Sequence, residues 1–378
     1  ILKQRGQKHL NVGSWAAMLF LNVKQPGTIR ALRVGMAQIG FAGINIAHTL
    51  AKRTGLLGRG NRVPPSTTGH TAVSQQLVNL VRKPMRAHVP SKPMRALLGA
   101  ADRTQVVIVR DPQKTTNESD AVFYFPGCGS ERLFTQIGLA TLAMLYQSGV
   151  KTVLPPGYMC CGYPQSAAGE SDKGDAITTE NRVLFHRVAN TLNYLDIKTV
   201  IVSCGTCMDQ LLKYEFDRIF PGCRLLDIHE YLMEQGISLQ GENSTRYLYH
   251  DPCHTPMKSY NPVKVASTLL GQDVLPSDRC CGESGTLGTA RPDIAEQLRY
   301  RKRQELQQGL VQLTGEHITT QGKVKLLTSC PACQQGLSRY TDDTGLETDF
   351  IVVELSNHNL GENWQREFVA SANAGGIE

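Results

Sequence analysis

Tyr158-Met159-Cys160-Cys161-Gly162 sets two cysteines side by side ahead of a glycine, and Arg279-Cys280-Cys281-Gly282 does so again downstream. Adjacent side chains of a strand point to opposite faces, so consecutive cysteines converge on one object only where the chain turns, and a following glycine permits that turn. Each pair is preceded by a single cysteine, Cys128 or Cys253, and followed by a Cys-x-x-Cys, Cys204/Cys207 or Cys330/Cys333. The 11 cysteines are thus two sets of five plus Cys223, which lies outside both series and reads as structural. The intervals before the pairs are 31 and 26 residues and those after them 42 and 48, differences that loops absorb.

Outward from these cysteines the chain alternates strands and helices. Ala121–Phe125 reads as a strand running to Cys128, Leu133–Tyr146 as a helix and Lys151–Leu154 as a strand running to the first pair. Asp175–Leu195 is helical, Thr199–Val202 is a strand, and Cys204-Gly-Thr-Cys207 opens the next helix. The second unit repeats the order: strand Tyr247–Tyr249 to Cys253, helix Val263–Leu270, strand Asp273–Leu275 to Cys280-Cys281, helix Pro292–Leu310, strand Val324–Leu327 to Cys330-Pro-Ala-Cys333. Such β-α-β units imply parallel sheets with helices on their faces and ligands at the strand ends. The expected fold is therefore α/β, with two tandem, pseudo-symmetric β-α-β domains that each present five thiols at one rim of their own sheet. The expected divisions are a basic helical or extended segment over 1–115, repeats over 116–240 and 241–357, and a tail over 358–378.

The 378 residues, 41% hydrophobic and 19% charged, suffice for a sizeable core and two or three domains. Unpaired thiols in this number fit a reducing compartment and metal ligation better than disulfides. A cytoplasmic location is expected, with peripheral attachment to the inner face of the cell membrane as the alternative. No stretch approaches the roughly 20 apolar residues of a membrane span; Val34–Leu50 comes nearest and carries Gln38, Asn45 and His48. The chain starts at Ile1 without an initiator methionine, so the absence of a targeting segment carries no information and a portion of a larger protein is expected.

Charge is divided unevenly. Residues 1–110 hold 17 Lys and Arg against the single acid Asp102, leaving 23 basic and 32 acidic residues for the remainder. A basic segment of this kind docks on acidic protein, an anionic membrane or nucleic acid. Docking within the protein or its complex is favoured, and nucleic acid is disfavoured, because no zinc finger, aromatic RNA-binding signature or regular basic helix is present. Within the segment, residues up to about 60 read as helical, with Trp15–Leu21 and Ile39–Ile46 apolar. Arg59–His70 reads as a loop and Ala72–Val81 as a further helix, while Lys83-Pro84, Val89-Pro90 and Lys92-Pro93 argue for extended chain.

Ligand number bears on the metal. Zinc takes four ligands, which leaves one thiol spare in each set, whereas iron–sulfur clusters accept thiolates from Cys-x-x-Cys turns backed by distant cysteines. Iron–sulfur is favoured over zinc, and inert or disulfide-bonded cysteines suit so regular a repeat poorly.

Phe125-Pro-Gly-Cys128, Met159-Cys-Cys-Gly162, Ser203-Cys-Gly-Thr-Cys207, His250-Asp-Pro-Cys-His254, Arg279-Cys-Cys-Gly282 and Ser329-Cys-Pro-Ala-Cys333 together resemble the cysteine-rich CCG repeats. Those repeats occur in a subunit of heterodisulfide reductase and in the iron–sulfur subunits of glycolate, lactate and glycerol-3-phosphate dehydrogenases. The likeness covers about residues 120–355 and is greatest to the C-terminal part of large bacterial flavin and iron–sulfur oxidoreductases. It implies two [4Fe–4S] clusters of the noncubane type. One would be held by Cys128, Cys160, Cys161, Cys204 and Cys207, the other by Cys253, Cys280, Cys281, Cys330 and Cys333. It further implies an FAD domain or subunit and a ferredoxin-like domain as partners. This chain shows neither a ferredoxin cysteine run nor a dinucleotide turn; Gly282, Gly285 and Gly288 follow a ligand pair and read as shaping its loop.

The implied activity is electron transfer in a flavin-linked dehydrogenase of 2-hydroxy acids, from flavin through the clusters to an acceptor such as quinone. A disulfide reductase in which the chain itself is catalytic, and an assembly or sensor module without turnover, are the alternatives. His250, Asp251 and His254 flank Cys253 and are weak candidates for hydrogen bonding to a cluster, proton transfer or acceptor contact, against the commoner role of fixing the loop.

Overall fold

The computed structural model describes residues 18–57, 63–64, 81–85, 92–239, 243–283, 291–320 and 322–378, with the single positions 74, 78 and 287. Most of the expected Arg59–His70 loop and Ala72–Val81 helix lies outside these residues, as do Trp15, Val89-Pro90, Gly285 and Gly288.

Among the described residues nine strands form two sheets: β1 Val107–Val109, β2 Ala121–Phe125, β3 Lys151–Leu154, β4 Ile197–Val202, β5 Arg224–Asp227, β6 Arg246–His250, β7 Leu275–Pro276, β8 Val324–Thr328 and β9 Glu347–Phe350. The helices used below are α1 Pro26–Arg33, α2 Gly40–Arg53, α3 Thr135–Gln147, α4 Ser171–Thr191, α5 Gly205–Leu211, α6 Ile228–Glu234, α7 Pro262–Leu270, α8 Pro292–Thr314, α9 Pro331–Ser338, α10 Ile351–Asn359 and α11 Trp364–Ser371. The first sheet has the order β1-β3-β2-β4-β5 and the second β7-β6-β8-β9. All pairings are parallel except that of β1 with β3. The orders β3-β2-β4-β5 and β7-β6-β8-β9 are the same arrangement used twice, as the α/β repeat requires.

The central strands are buried on both faces, which is why Ala-Val-Phe-Tyr-Phe in β2 reads as an uninterrupted apolar run. Behind the first sheet, Phe123, Phe125, Phe185, Phe216 and Phe220 form an aromatic core, with Phe123 edge-on to Phe185 at 4.9 Å. Leu248, Leu306, Leu310 and Leu326 fill the corresponding place in the second unit. Between the units lies one shared core, in which Tyr124, Ile137, Leu142 and Tyr231 of the first pack with Tyr249, Leu269, Phe350 and Leu355 of the second. The two repeats are therefore fused face to face.

Two features extend beyond the alternation read from the sequence. Each unit carries a fourth strand, β5 or β9, followed by α6 or α10, and a strand, β1, arises inside the segment expected to be helical or extended. Residues 358–378, which carry no sequence-predicted element, contain α11 and return to the first sheet. α10 and α11 pack on α3, Tyr146 meets Phe368 edge-on at 5.6 Å, and Ile108 and Glu378 exchange backbone hydrogen bonds of 2.9 and 3.0 Å. The C-terminus thus stitches the second repeat to the first.

The basic segment docks on the acidic remainder of the same chain. Lys24 pairs with Glu180 on α4 at 2.8 Å, Arg82 with Glu296 on α8, and Lys83 with Asp343. Arg95 is fully buried against Glu131 and donates to the Pro155 carbonyl at 2.5 Å. Phe20 and Ile29 close over Tyr158, two residues before the first cysteine pair. None of the described helices is long and apolar enough to cross a membrane.

Candidate metal centre

Every cysteine of the two sets follows the C-terminal end of a parallel strand: β2, β3 and β4 for the first, β6, β7 and β8 for the second. The glycine after each pair makes the expected turn, with φ of 91° at Gly162 and 77° at Gly282. Gly127, at φ 65°, has a second constraint: a Cβ there would stand 2.6 Å from the Cys207 sulfur. Cys204 and Cys330 cap the N-termini of α5 and α9 in extended conformation.

None of the 11 cysteines is in a disulfide. In the first set, thiol contacts run from Cys128 to Cys160, Cys161, Cys207 and Cys204 in turn. In the second they run from Cys280 to Cys281, Cys333 and Cys330, with 3.4 Å between the Cys281 and Cys333 sulfurs. Cys204 also meets Cys330, so the two rims face one another and the Cys-x-x-Cys turns join at the seam. Cys253 is exposed and stands apart from this thiol network, close enough to Cys280 to act on it electrostatically. Cys223 lies outside both sets, and burial raises its thiol to about 11.

Charge is distributed along the network in a pattern. Hydrogen bonds from Cys128 and Cys161 hold the Cys160 thiol well below its ordinary value. Cys204 is lowered likewise by Cys207 and Cys330, and Cys281 by Cys280 and Cys333. Each of these three thiols is thus served by two neighbouring thiols, the kind of donor that favours the anionic form a metal requires.

The same supports recur in both repeats. The Tyr124 hydroxyl meets Ser203 at 2.9 Å and the Tyr249 hydroxyl meets Ser329 at 3.1 Å, each serine standing just before a Cys-x-x-Cys. Tyr214 donates to the Cys161 carbonyl at 2.8 Å and Tyr340 to the Cys281 carbonyl at 3.3 Å. The individual motifs conceal these tyrosines. Superposing the repeats reveals Tyr214 and Tyr340, because each follows the last cysteine of its set by seven residues. In the first unit Asn181 adds a 2.8 Å bond to the Cys160 carbonyl, and the Cys160 thiol lies 3.7 Å from Gln165, itself held by Asn22 at 2.7 Å.

Each repeat also packs on the other's Cys-x-x-Cys turn. Gly129, after Cys128, lies against Pro331, while the carbonyl of His254, after Cys253, occupies the space a Cβ on Gly205 would take. His254 is tied across the seam, with Nδ1 2.5 Å from Asp209 and Nε2 2.9 Å from the Tyr163 hydroxyl. Asp251 accepts from Tyr249 at 3.2 Å, and burial raises its carboxyl. His250 is fully buried behind the second set, beside the equally buried Lys302 at 3.2 Å. A cleft of about 570 Å³ opens next to Cys280 between Arg279, Tyr300 and Arg301.

A family model described as the cysteine-rich domain, CCG, matches residues 122–212 and 247–338. Both repeats belong to the CCG family. A domain of unknown function, DUF3400, matches residues 338–378, the part that returns from the second CCG domain to the first. An uncharacterised iron–sulfur protein of Methanococcus maripaludis is 26% identical over 65% of this chain and 48% of its own length. A subunit of the CoM/CoB fumarate reductase of Methanothermobacter marburgensis is 27% identical over 61% of this chain and 44% of its own length. A probable glycolate oxidase iron–sulfur subunit of Bacillus subtilis is 27% identical over 43% of this chain and 40% of its own length. The chain therefore spans under half the length of these relatives. The CCG domains, with thiols placed for metal binding, support a redox role.

Proposed function

We propose that the two CCG domains hold one [4Fe–4S] cluster of the noncubane type each and form the electron-transfer portion of a flavin-linked dehydrogenase of 2-hydroxy acids. The observation that carries this reading is the meeting of the two thiol sets at Cys204 and Cys330. Two redox centres built on sets in direct contact exchange electrons without an intermediary. The donor set fits such a group: the sulfurs of both sets are free of disulfides, and Cys160, Cys204 and Cys281 are each pushed toward the anionic form by neighbouring thiols.

Cys128, Cys160, Cys161, Cys204 and Cys207 would hold the first cluster, and Cys253, Cys280, Cys281, Cys330 and Cys333 the second. A bound iron–sulfur cluster supplies single-electron uptake and release. Tyr214 and Tyr340 fix the backbone of the paired cysteines, and the Tyr–Ser pairs fix the entrance to each Cys-x-x-Cys. The packed aromatic side chains Phe123, Phe125 and Phe185 exclude water behind the first set. An FAD domain or subunit is the electron donor in this reading, with a ferredoxin-like domain between, and the cleft at Cys280 is where an acceptor such as quinone approaches.

The partial exposure of Cys280 in that cleft favours a second reading, in which a disulfide is reduced there. Anaerobic mixing with photoreduced flavin separates the two. The relay reading expects two sequential one-electron reductions and no turnover of small disulfides. Continuous disulfide reduction by the isolated chain would replace it with the reductase.

A further inference from the structure

The two halves of the thiol network sit on chemically different walls. In the first unit the strand that leads to Cys128 ends in Phe125, whose ring packs on Phe185 at 6.0 Å and lies beside the Cys207 sulfur at the Gly127 turn. Its neighbour across the sheet is Val202. In the second unit the strand that leads to Cys253 ends at the matching position in His250, and its neighbour is Thr328, whose hydroxyl donates to the His250 carbonyl at 3.1 Å. Behind His250 stands Lys302 in place of an aromatic ring. One wall is hydrocarbon and the other is a buried imidazole on a buried ammonium.

The placement of the imidazole is specific. His250 is fully buried. One of its ring nitrogens and the sulfurs of Cys281 and Cys333 all lie within 4.8 Å of one another. Nδ1 is 3.0 Å from the Ser277 carbonyl, an acceptor only, and 3.2 Å from Lys302, whose three protons are taken by the Ser277 carbonyl, the Ser277 hydroxyl and Glu305, so this nitrogen carries the ring proton. Lys302 donates to the same carbonyl at 3.1 Å and to the Ser277 hydroxyl at 2.6 Å, which fixes the acceptor in place beside the ring. Nε2 is buried with no nitrogen or oxygen partner and faces the Cys281 sulfur, and with the proton on Nδ1 it carries the ring's lone pair. An N–H held by a backbone carbonyl with the opposite nitrogen free is how metal-bound histidines are held.

We propose that His250 Nε2 is a ligand of the second centre, which is a mixed thiolate and imidazole site, whereas the first is bound by thiolates alone. This rests on the iron–sulfur reading of the two sets. Nitrogen ligation raises a cluster's reduction potential relative to ligation by thiolates alone, and the Lys302 cation behind the ring acts in the same direction. The second centre is accordingly the higher in potential, and electrons run from the first repeat to the second, toward the cleft at Cys280. Lys302 is a positioning residue that fixes the imidazole tautomer through Ser277.

The test is pulsed EPR of the reduced, anaerobically purified full chain, with ¹⁵N-histidine and at natural abundance, alongside redox titration of both signals. The expected result is a strongly coupled histidine nitrogen on one centre. It persists in the Cys160→Ser/Cys161→Ser variant and is absent from the Cys280→Ser/Cys281→Ser variant. In His250→Phe, which restores the residue type of the first repeat, the coupling is lost and the potential of that centre alone falls. Iron and sulfide at the level of two centres with no coupled nitrogen in the unmodified protein overturns the proposal and leaves the iron–sulfur reading standing. Absence of labile sulfide overturns both. The measurement on the unmodified chain decides the matter should His250→Phe not fold.

Discussion

Gly205 of the first CCG domain packs directly on the His254 carbonyl of the second, and its replacement by alanine is a mechanical test of the seam. A Cβ at this position would stand 1.5 Å from the His254 carbonyl oxygen and 2.6 Å from its carbonyl carbon. A carbon and a carbonyl oxygen approach no closer than roughly 3.3 Å, so Gly205→Ala must separate the two segments by roughly 1.8 Å. The carbonyl does not yield alone, because the His254 ring is held by Asp209 at 2.5 Å and by Tyr163 at 2.9 Å. Overpacking of this kind costs about 1–3 kcal/mol, and each of the two hydrogen bonds contributes about 1 kcal/mol. The expected loss is therefore about 3–5 kcal/mol, a large share of the roughly 5–15 kcal/mol that holds a domain folded. With a urea slope of roughly 3 kcal/mol/M, the anaerobic unfolding midpoint followed by circular dichroism falls by about 1 M or more. Gly43→Ala is the control: this glycine lies in α2 with nothing within 4 Å of the added carbon, and a helical alanine there stabilises by roughly 0.5–1 kcal/mol. An unfolding midpoint for Gly205→Ala equal to that of the unmodified protein would refute the reasoning.

The repeated tyrosines give a paired expectation. Tyr214→Phe and Tyr340→Phe each leave the carbonyl of a paired cysteine without its donor, and each lowers stability by about 1–3 kcal/mol in urea titrations, with the shorter bond at Tyr214 giving the larger loss. Asp349 on β9 governs a pH dependence: burial pushes its carboxyl up from 3.8 to about 7. The native state therefore holds this proton when the unfolded chain has released it, so stability falls as pH rises from about 4 to about 7 and levels off above. Asp349→Asn removes that slope and is the more stable protein at pH 8, as denaturation of the metal-free chain across this range would measure.

Much of this architecture is written in local patterns. Gly162 and Gly282 take the left-handed turn that a doubled cysteine requires, and the apolar runs of β2, β4 and β8 are long because parallel central strands are buried on both faces. β5, Arg-Leu-Leu-Asp, and β9, Glu-Thr-Asp-Phe, are partly exposed edge strands whose polar residues break the apolar signal. β1 is three residues long and depends on β3 and on residues 376–378 at the far end of the chain, so no local window reveals it. The approach of Cys204 to Cys330 is likewise invisible locally, because it follows from packing one whole repeat against the other. His250 was legible only as a neighbour of Cys253; its burial against Lys302 depends on where α8 crosses the second sheet.

The most direct test of two cluster-bearing repeats is iron and acid-labile sulfide analysis with EPR, on anaerobically purified protein and on the Cys160→Ser/Cys161→Ser variant. The account predicts about eight iron and eight sulfide per chain, one four-iron cluster per set, with half of each lost in the variant and one EPR signal remaining. Zinc without labile sulfide, or an iron content unchanged by the double substitution, would contradict it.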